Sequence, residues 1–116
     1  MKTILLVDDE YAIVEVLALL LEEEGYAVLT ASNGREAMGR ATERAPDLII
    51  TDQMMPLMSG TDLLRALKKH AALRNVPVIL ITSAAKPAAR ELRWADFLAK
   101  PFEFDELLQA VRRVLR

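Results

Sequence analysis

The feature that most constrains this chain is an alternation repeated along its whole length. A short unbroken apolar run is followed by a longer stretch with helical spacing, and the pattern then recurs. Ile4-Leu5-Leu6-Val7 stops abruptly at Asp8-Asp9, as suits a strand buried on both faces. Glu10 to Glu24 carries apolar residues at 13, 16, 17, 20 and 21, and Gly25 ends it. Tyr26 to Ala31 predicts a second strand. Asn33-Gly34 marks a turn into a more polar helix, Arg35 to Arg44. After Pro46 comes the β-branched run Leu48 to Thr51, ending at Asp52. A loop over 53–60 leads to a helix capped by Thr61 or Asp62 and reaching His70. Asn75 is placed to turn left-handed before the strand Val78 to Thr82. Pro87 opens a short helix, Phe97-Leu98-Ala99 forms a last strand, and Glu103 to Leu115 a closing helix. Five strands alternating with five helices imply parallel β-α-β units and a sheet covered on both sides.

Composition narrows the chemistry. With 116 residues the expectation is one domain, residues 1–116, with no output domain attached. The absence of cysteine removes disulfides, thiolate metal sites and a cysteine nucleophile. A single histidine, His70, removes a multi-histidine metal site, and its place after two lysines reads as a solvated helix end. The net charge of −2 gives nucleic-acid binding no global support. Val16 to Leu21, the longest apolar run, is far short of a membrane span, which needs about 20 residues. A cytoplasmic protein is expected, with chemistry limited to oxygen ligands, hydroxyls and lysine.

Ligands of open parallel sheets bind beyond the carboxyl ends of the strands. Those ends carry Asp8-Asp9, Asp52, Thr82-Ser83 and Lys100. Each has an ordinary alternative: Asp9 as a helix cap, Thr82 as a β-branched strand end, Lys100 as a surface lysine. Taken together, carboxylates about 5 Å apart repel by about 3 kcal/mol per pair at an effective dielectric near 20. A hard divalent cation such as Mg²⁺ resolves that repulsion, and a neighbouring lysine can hold an anion.

These residues carry a resemblance. Ile4 to Asp9, Asp47 to Asp52, Met55-Pro56 with Gly60, Pro77 to Thr82 and Asp96 to Phe102 follow in the order seen in response-regulator receiver domains of two-component signalling. The chain resembles the single-domain, chemotaxis-regulator type. The resemblance implies a flavodoxin-like, doubly wound α/β fold with a five-stranded parallel sheet in the order 2-1-3-4-5. It implies a phosphoprotein rather than an enzyme, taking a phosphoryl group from a histidine kinase or phosphotransfer protein onto Asp52. Asp9, Asp52 and the backbone carbonyl of Met54 would hold Mg²⁺, with Asp8 acting through a coordinated water. Lys100 and the Thr82 hydroxyl would bind phosphoryl oxygens, and Phe97 would switch rotamer with Thr82, or else simply fill the core. The Lys100–Pro101 bond is expected to be cis.

The chain also departs from the family. From Thr82 to Lys100 it advances 18 positions, about one helical turn fewer than usual, so the fourth helix should be short, Pro87 to Arg93. Arg93-Trp94-Ala95-Asp96 stands where a glycine turn is common. Output through the face of the fourth helix, fifth strand and closing helix should therefore be atypical, with the protein remaining a monomer. Trp94 either fills the vacated volume or anchors a partner. Met54 and Ala84 flank the path of a hydrolytic water and cannot orient it, so dephosphorylation should be slow. On the first helix, Ile13, Leu17, Leu20 and Leu21 should face the sheet. Ala12, Val16 and Leu19 are left on a flank that suits kinase docking, dimerisation or plain burial. Two other functions stay open: a docking module that is never phosphorylated, and a Mg²⁺-dependent phosphohydrolase. Met54, where the latter needs a second acid, argues against it.

Overall fold

The computed structural model describes residues 1–83 and 92–116. Five parallel strands, β1 (Thr3–Val7), β2 (Ala27–Ala31), β3 (Leu48–Asp52), β4 (Val78–Thr82) and β5 (Asp96–Ala99), form one sheet in the order β2-β1-β3-β4-β5. Four helices lie among the described residues: α1 (Tyr11–Glu23), α2 (Gly34–Glu43), α3 (Gly60–Lys68) and α4 (Phe104–Leu115). The doubly wound α/β fold expected from the alternation is present. The expected helix from Pro87 lies largely outside the described residues, and Leu92 and Arg93, its expected end, are not helical.

The sheet is apolar on both faces because its central strands alternate between two cores. Ile4, Leu6, Ile50, Ile79 and Ile81 pack under α1 and α4, against Leu17, Leu21, Leu107 and Val111. Leu5, Val7, Ile49 and Val78 pack under α2 and α3, against Ala37, Ala41, Leu63 and Leu67. Fully burying each leucine or isoleucine contributes roughly 1.5–3 kcal/mol. Strands covered on both faces have no solvated side to spare for polar residues, so these collect at the strand ends.

Several local expectations are corrected. The cap of α3 is Ser59, not Thr61 or Asp62. Its Oγ accepts the Asp62 N–H at 3.1 Å, and the Asp62 carboxylate accepts the Ser59 N–H in return. A serine followed three positions later by an acid is a reciprocal cap, and it starts the helix earlier. Asn75 is not left-handed; among the described residues Leu57 is, at φ 70°, along with Gly25. On α1 the inward residues are Val14, Leu17 and Leu21, with Ile13 and Leu20 half-buried. Trp94 is half-buried and packs on the second core, filling volume rather than standing largely exposed. Asp96 opens β5, and its carboxylate pairs with Arg113 at 2.6 Å. His70 accepts the Ala72 N–H at Nδ1, ordering the turn after α3.

Candidate functional site

Parallel strands that all end on one side bring their terminal residues together. Asp8 follows β1, Asp52 ends β3, Thr82 ends β4 and Lys100 follows β5. With β1, β3, β4 and β5 adjacent in the sheet, these four ends form one row. The carboxylates of Asp8, Asp9 and Asp52 each place an oxygen within 4.8 Å of the others. At that spacing each pair repels by about 3 kcal/mol at an effective dielectric near 20.

Lys100 offsets part of this. Its Nζ lies 3.3 Å from Asp52 Oδ2, 3.4 Å from Asp8 Oδ2 and 4.0 Å from Glu10 Oε1. Burial alone would pull the ammonium down, but the charges of Asp8 and Asp52 outweigh it and hold its pKa above the ordinary value. Burial pushes the Asp8 carboxyl up, aided by the Asp52 charge and opposed by the Glu10 N–H and Lys100. The Glu10 N–H donates to Asp8 Oδ1 at 3.0 Å, and the Gln53 N–H to Asp52 Oδ1 at 2.8 Å, so both acids are oriented. Asp9 is exposed and does not cap α1, whose N-cap is Glu10. One ammonium among three carboxylates leaves the cluster with excess negative charge. Hard oxygen donors gathered in this way fit a divalent cation.

Thr82 is fully buried, and its carbonyl accepts the Lys100 N–H at 3.0 Å, holding the β4 end beside the lysine. The Lys100–Pro101 bond is cis. Ser83, just beyond the end of β4, is exposed. Phe97 is half-buried, opposite Leu80. Met54 leaves β3 with its side chain largely exposed, whereas Met55 packs on the second core. Ala84 lies outside the described residues. Ala12, Val16 and Leu19 are exposed on α1. Beside Asp8 and Asp9, a cleft of about 770 Å³ opens between α1 and the end of β2, lined by Tyr11, Val14, Leu19, Thr30 and Ser32 among others. Trp94 is not part of this site.

Two residues escaped the sequence reading, and a third, Gly60, entered it only as part of a motif. Glu10 counts there only as the start of a helix, yet its carboxylate approaches Lys100. Gln53 counts as loop, yet it holds the start of α3. Gly60 packs against the site from behind: a Cβ there would stand 2.6 Å from the Asp52 carbonyl oxygen. A lone glycine at the end of the loop that follows the acid was the one signal available for it.

The geometry agrees with comparison to known proteins. The model of the family described as response regulator receiver domain matches residues 4–112. The phosphate regulon transcriptional regulatory protein PhoB of Pseudomonas aeruginosa is 40% identical over 119 residues, covering 99% of this chain and 52% of its own length. The chain spans about half the length of this and other curated relatives. The solved receiver domain of a signal transduction histidine kinase from Syntrophus aciditrophicus superposes with a TM-score of 0.91 at 39% identity, covering 99% of this chain and 90% of that one. The response regulator TrrA of Thermotoga maritima, solved in complex with Mg²⁺-BeF, does so at 0.89 and 36% identity, covering 99% and 100%. A family model matched over nearly the whole chain, and relatives of this identity built on the same sheet, show that the chain belongs to the response regulator receiver domain family.

Proposed function

We propose that Asp52 is the phosphoacceptor of this receiver and that the acids around it hold Mg²⁺. One observation carries the reading: Lys100 Nζ bridges Asp8 and Asp52 within a cluster of three carboxylates too close to coexist comfortably without a cation. Asp9, Asp52 and the Met54 carbonyl would be its ligands, and Asp8 would act through a coordinated water. The bound Mg²⁺ of TrrA is in accord with this. The cation supplies charge neutralisation, which is most of what phosphoryl transfer asks of a protein.

In the transfer, a carboxylate oxygen of Asp52 attacks the phosphorus of a phosphohistidine. A P–O bond forms, the P–N bond breaks, and the imidazole leaves with its electron pair. Gln53 and Lys100 fix the Asp52 carboxylate in advance, and Lys100 then passes from that carboxylate to a phosphoryl oxygen. The Thr82 hydroxyl takes another oxygen, and Phe97 follows Thr82 as the switch. The exposed flank of α1, next to Asp9 and the cleft, receives the kinase or phosphotransfer protein. Output is by protein contact. The relatives that extend beyond the matched length are named as transcriptional regulators. The intact set of acids and lysine weighs against a module that is never phosphorylated.

Incubation with a small phosphodonor and Mg²⁺, followed by intact mass measurement, tests the assignment. The wild-type protein should gain one phosphoryl mass and Asp52→Asn should gain none. A phosphorylated Asp52→Asn protein would overturn the assignment.

A further inference from the structure

We infer that Gln53 is a positioning residue that pre-sets the phosphoacceptor site by latching the loop after β3 onto the start of α3. The inference rests on the phosphoacceptor reading of Asp52.

A helix begins with backbone N–H groups that have no partner within it. In α3 the first three are all bound, and Gln53 binds two of them. Its carbonyl accepts the Gly60 N–H at 3.0 Å, and its Oε1 accepts the Thr61 N–H at 2.8 Å; Ser59 Oγ takes the third, from Asp62. Gln53 Oε1 also accepts the Thr61 hydroxyl at 2.9 Å. On its other side, the Gln53 N–H donates to Asp52 Oδ1 at 2.8 Å and lies 3.1 Å from the Ile81 carbonyl of β4. One residue thus joins the phosphoacceptor carboxylate, the neighbouring strand and the helix start.

The loop of residues 54–59 therefore leaves from Gln53 and returns to it. Met54, whose carbonyl is the proposed metal ligand, is the first residue inside this closed loop. Its carbonyl cannot swing away without loosening the contacts at Gly60 and Thr61. Gly60 makes the closure possible, since a Cβ there would also lie 3.0 Å from Gln53 Oε1. A glutamine that merely faced solvent would leave the Thr61 N–H and hydroxyl to water. Here its carboxamide oxygen accepts both, and a shared acceptor fixes the side chain. Ligands held in advance bind a metal without an ordering cost at the moment of binding.

The test compares the whole chain with Gln53→Ala, Thr61→Val and Ser59→Ala. Mg²⁺ alone is titrated by calorimetry, phosphorylation by phosphoramidate is followed by intact mass, and melting temperature is recorded. Ser59→Ala is the control, because it weakens the same helix start without touching the latch. Gln53→Ala should weaken Mg²⁺ binding at least five-fold and slow phosphorylation at subsaturating Mg²⁺ by a similar factor. Thr61→Val, which keeps the shape of the side chain, should weaken Mg²⁺ binding two- to three-fold. Ser59→Ala should lower the melting temperature and leave Mg²⁺ affinity within two-fold of wild type. Gln53→Ala or Thr61→Val with wild-type Mg²⁺ affinity would overturn the positioning role, as would Ser59→Ala matching the loss of affinity. A wild-type protein that takes no phosphoryl group would instead overturn the reading of Asp52.

Discussion

Single residues at the strand ends carry opposing demands. Asp8 and Asp52 each have Lys100 within 3.4 Å, whereas Asp9 adds negative charge from the exposed side of the cluster. Removing that charge should relieve repulsion when no metal is present and remove a ligand when it is. Asp9→Asn is expected to melt about 2–5 °C higher than wild type in metal-free buffer, corresponding to roughly 1 kcal/mol. It should lose the further rise that millimolar Mg²⁺ gives wild type by binding only the native state. Thermal melts with chelator and with Mg²⁺ check both parts. Met54 poses a kinetic question at the same scale. Its exposed thioether side chain offers a hydrolytic water no strong hydrogen bond. Met54→Asn should therefore hasten loss of the phosphoryl group by about ten-fold, or 1.4 kcal/mol in the barrier. A time course of intact mass after removal of the donor measures it.

At the scale of elements, the connection from β3 to α3 does the most and was the least legible. Its apolar residues, Met54, Met55, Leu57 and Met58, have no period that separates inward from outward positions. Leu57 stands at φ 70° with its side chain exposed, a left-handed conformation that costs a Cβ-bearing residue roughly 1–2 kcal/mol. Asparagine tolerates that region better and loses little packing at so open a position. Leu57→Asn should raise stability by about 0.5–1 kcal/mol in urea unfolding, with the slope unchanged. The start of α3 shows the opposite situation. The spacing of Ser59 and Asp62 stated the cap in full, and reading Thr61 or Asp62 as the cap overlooked the reciprocal bond between the two. Helix α1 was legible for a different reason. Its excess of apolar residues over what one stripe can bury required some to be exposed, and Ala12, Val16 and Leu19 are.

For the whole molecule, those exposed residues put an apolar flank next to the acidic end of the sheet. No described helix is long and apolar enough to cross a membrane, so the flank is not part of a membrane-spanning helix. Docking of the phosphodonor protein predicts that Val16→Glu slows transfer from a phosphorylated kinase at least ten-fold while phosphorylation by a small donor stays at the wild-type rate. Parallel rate measurements with the two donors decide it, and equal loss with both would assign the helix a purely structural role. What the sequence by itself determined is what local pattern can hold: five strands, the helices between them, and the identity of the polar residues at the strand ends that form the site. Strand order came from resemblance, because two-sided apolar strands look alike to any neighbour. Only the tertiary structure decided which ends meet. It brought Lys100 across 48 positions to Asp52, turned Gln53 from a loop residue into a latch, and folded Trp94 onto the core. Hydrophobic periodicity records which side of an element faces inward, whereas the meeting of distant polar groups depends on sheet order and register, which no local stretch of chain encodes.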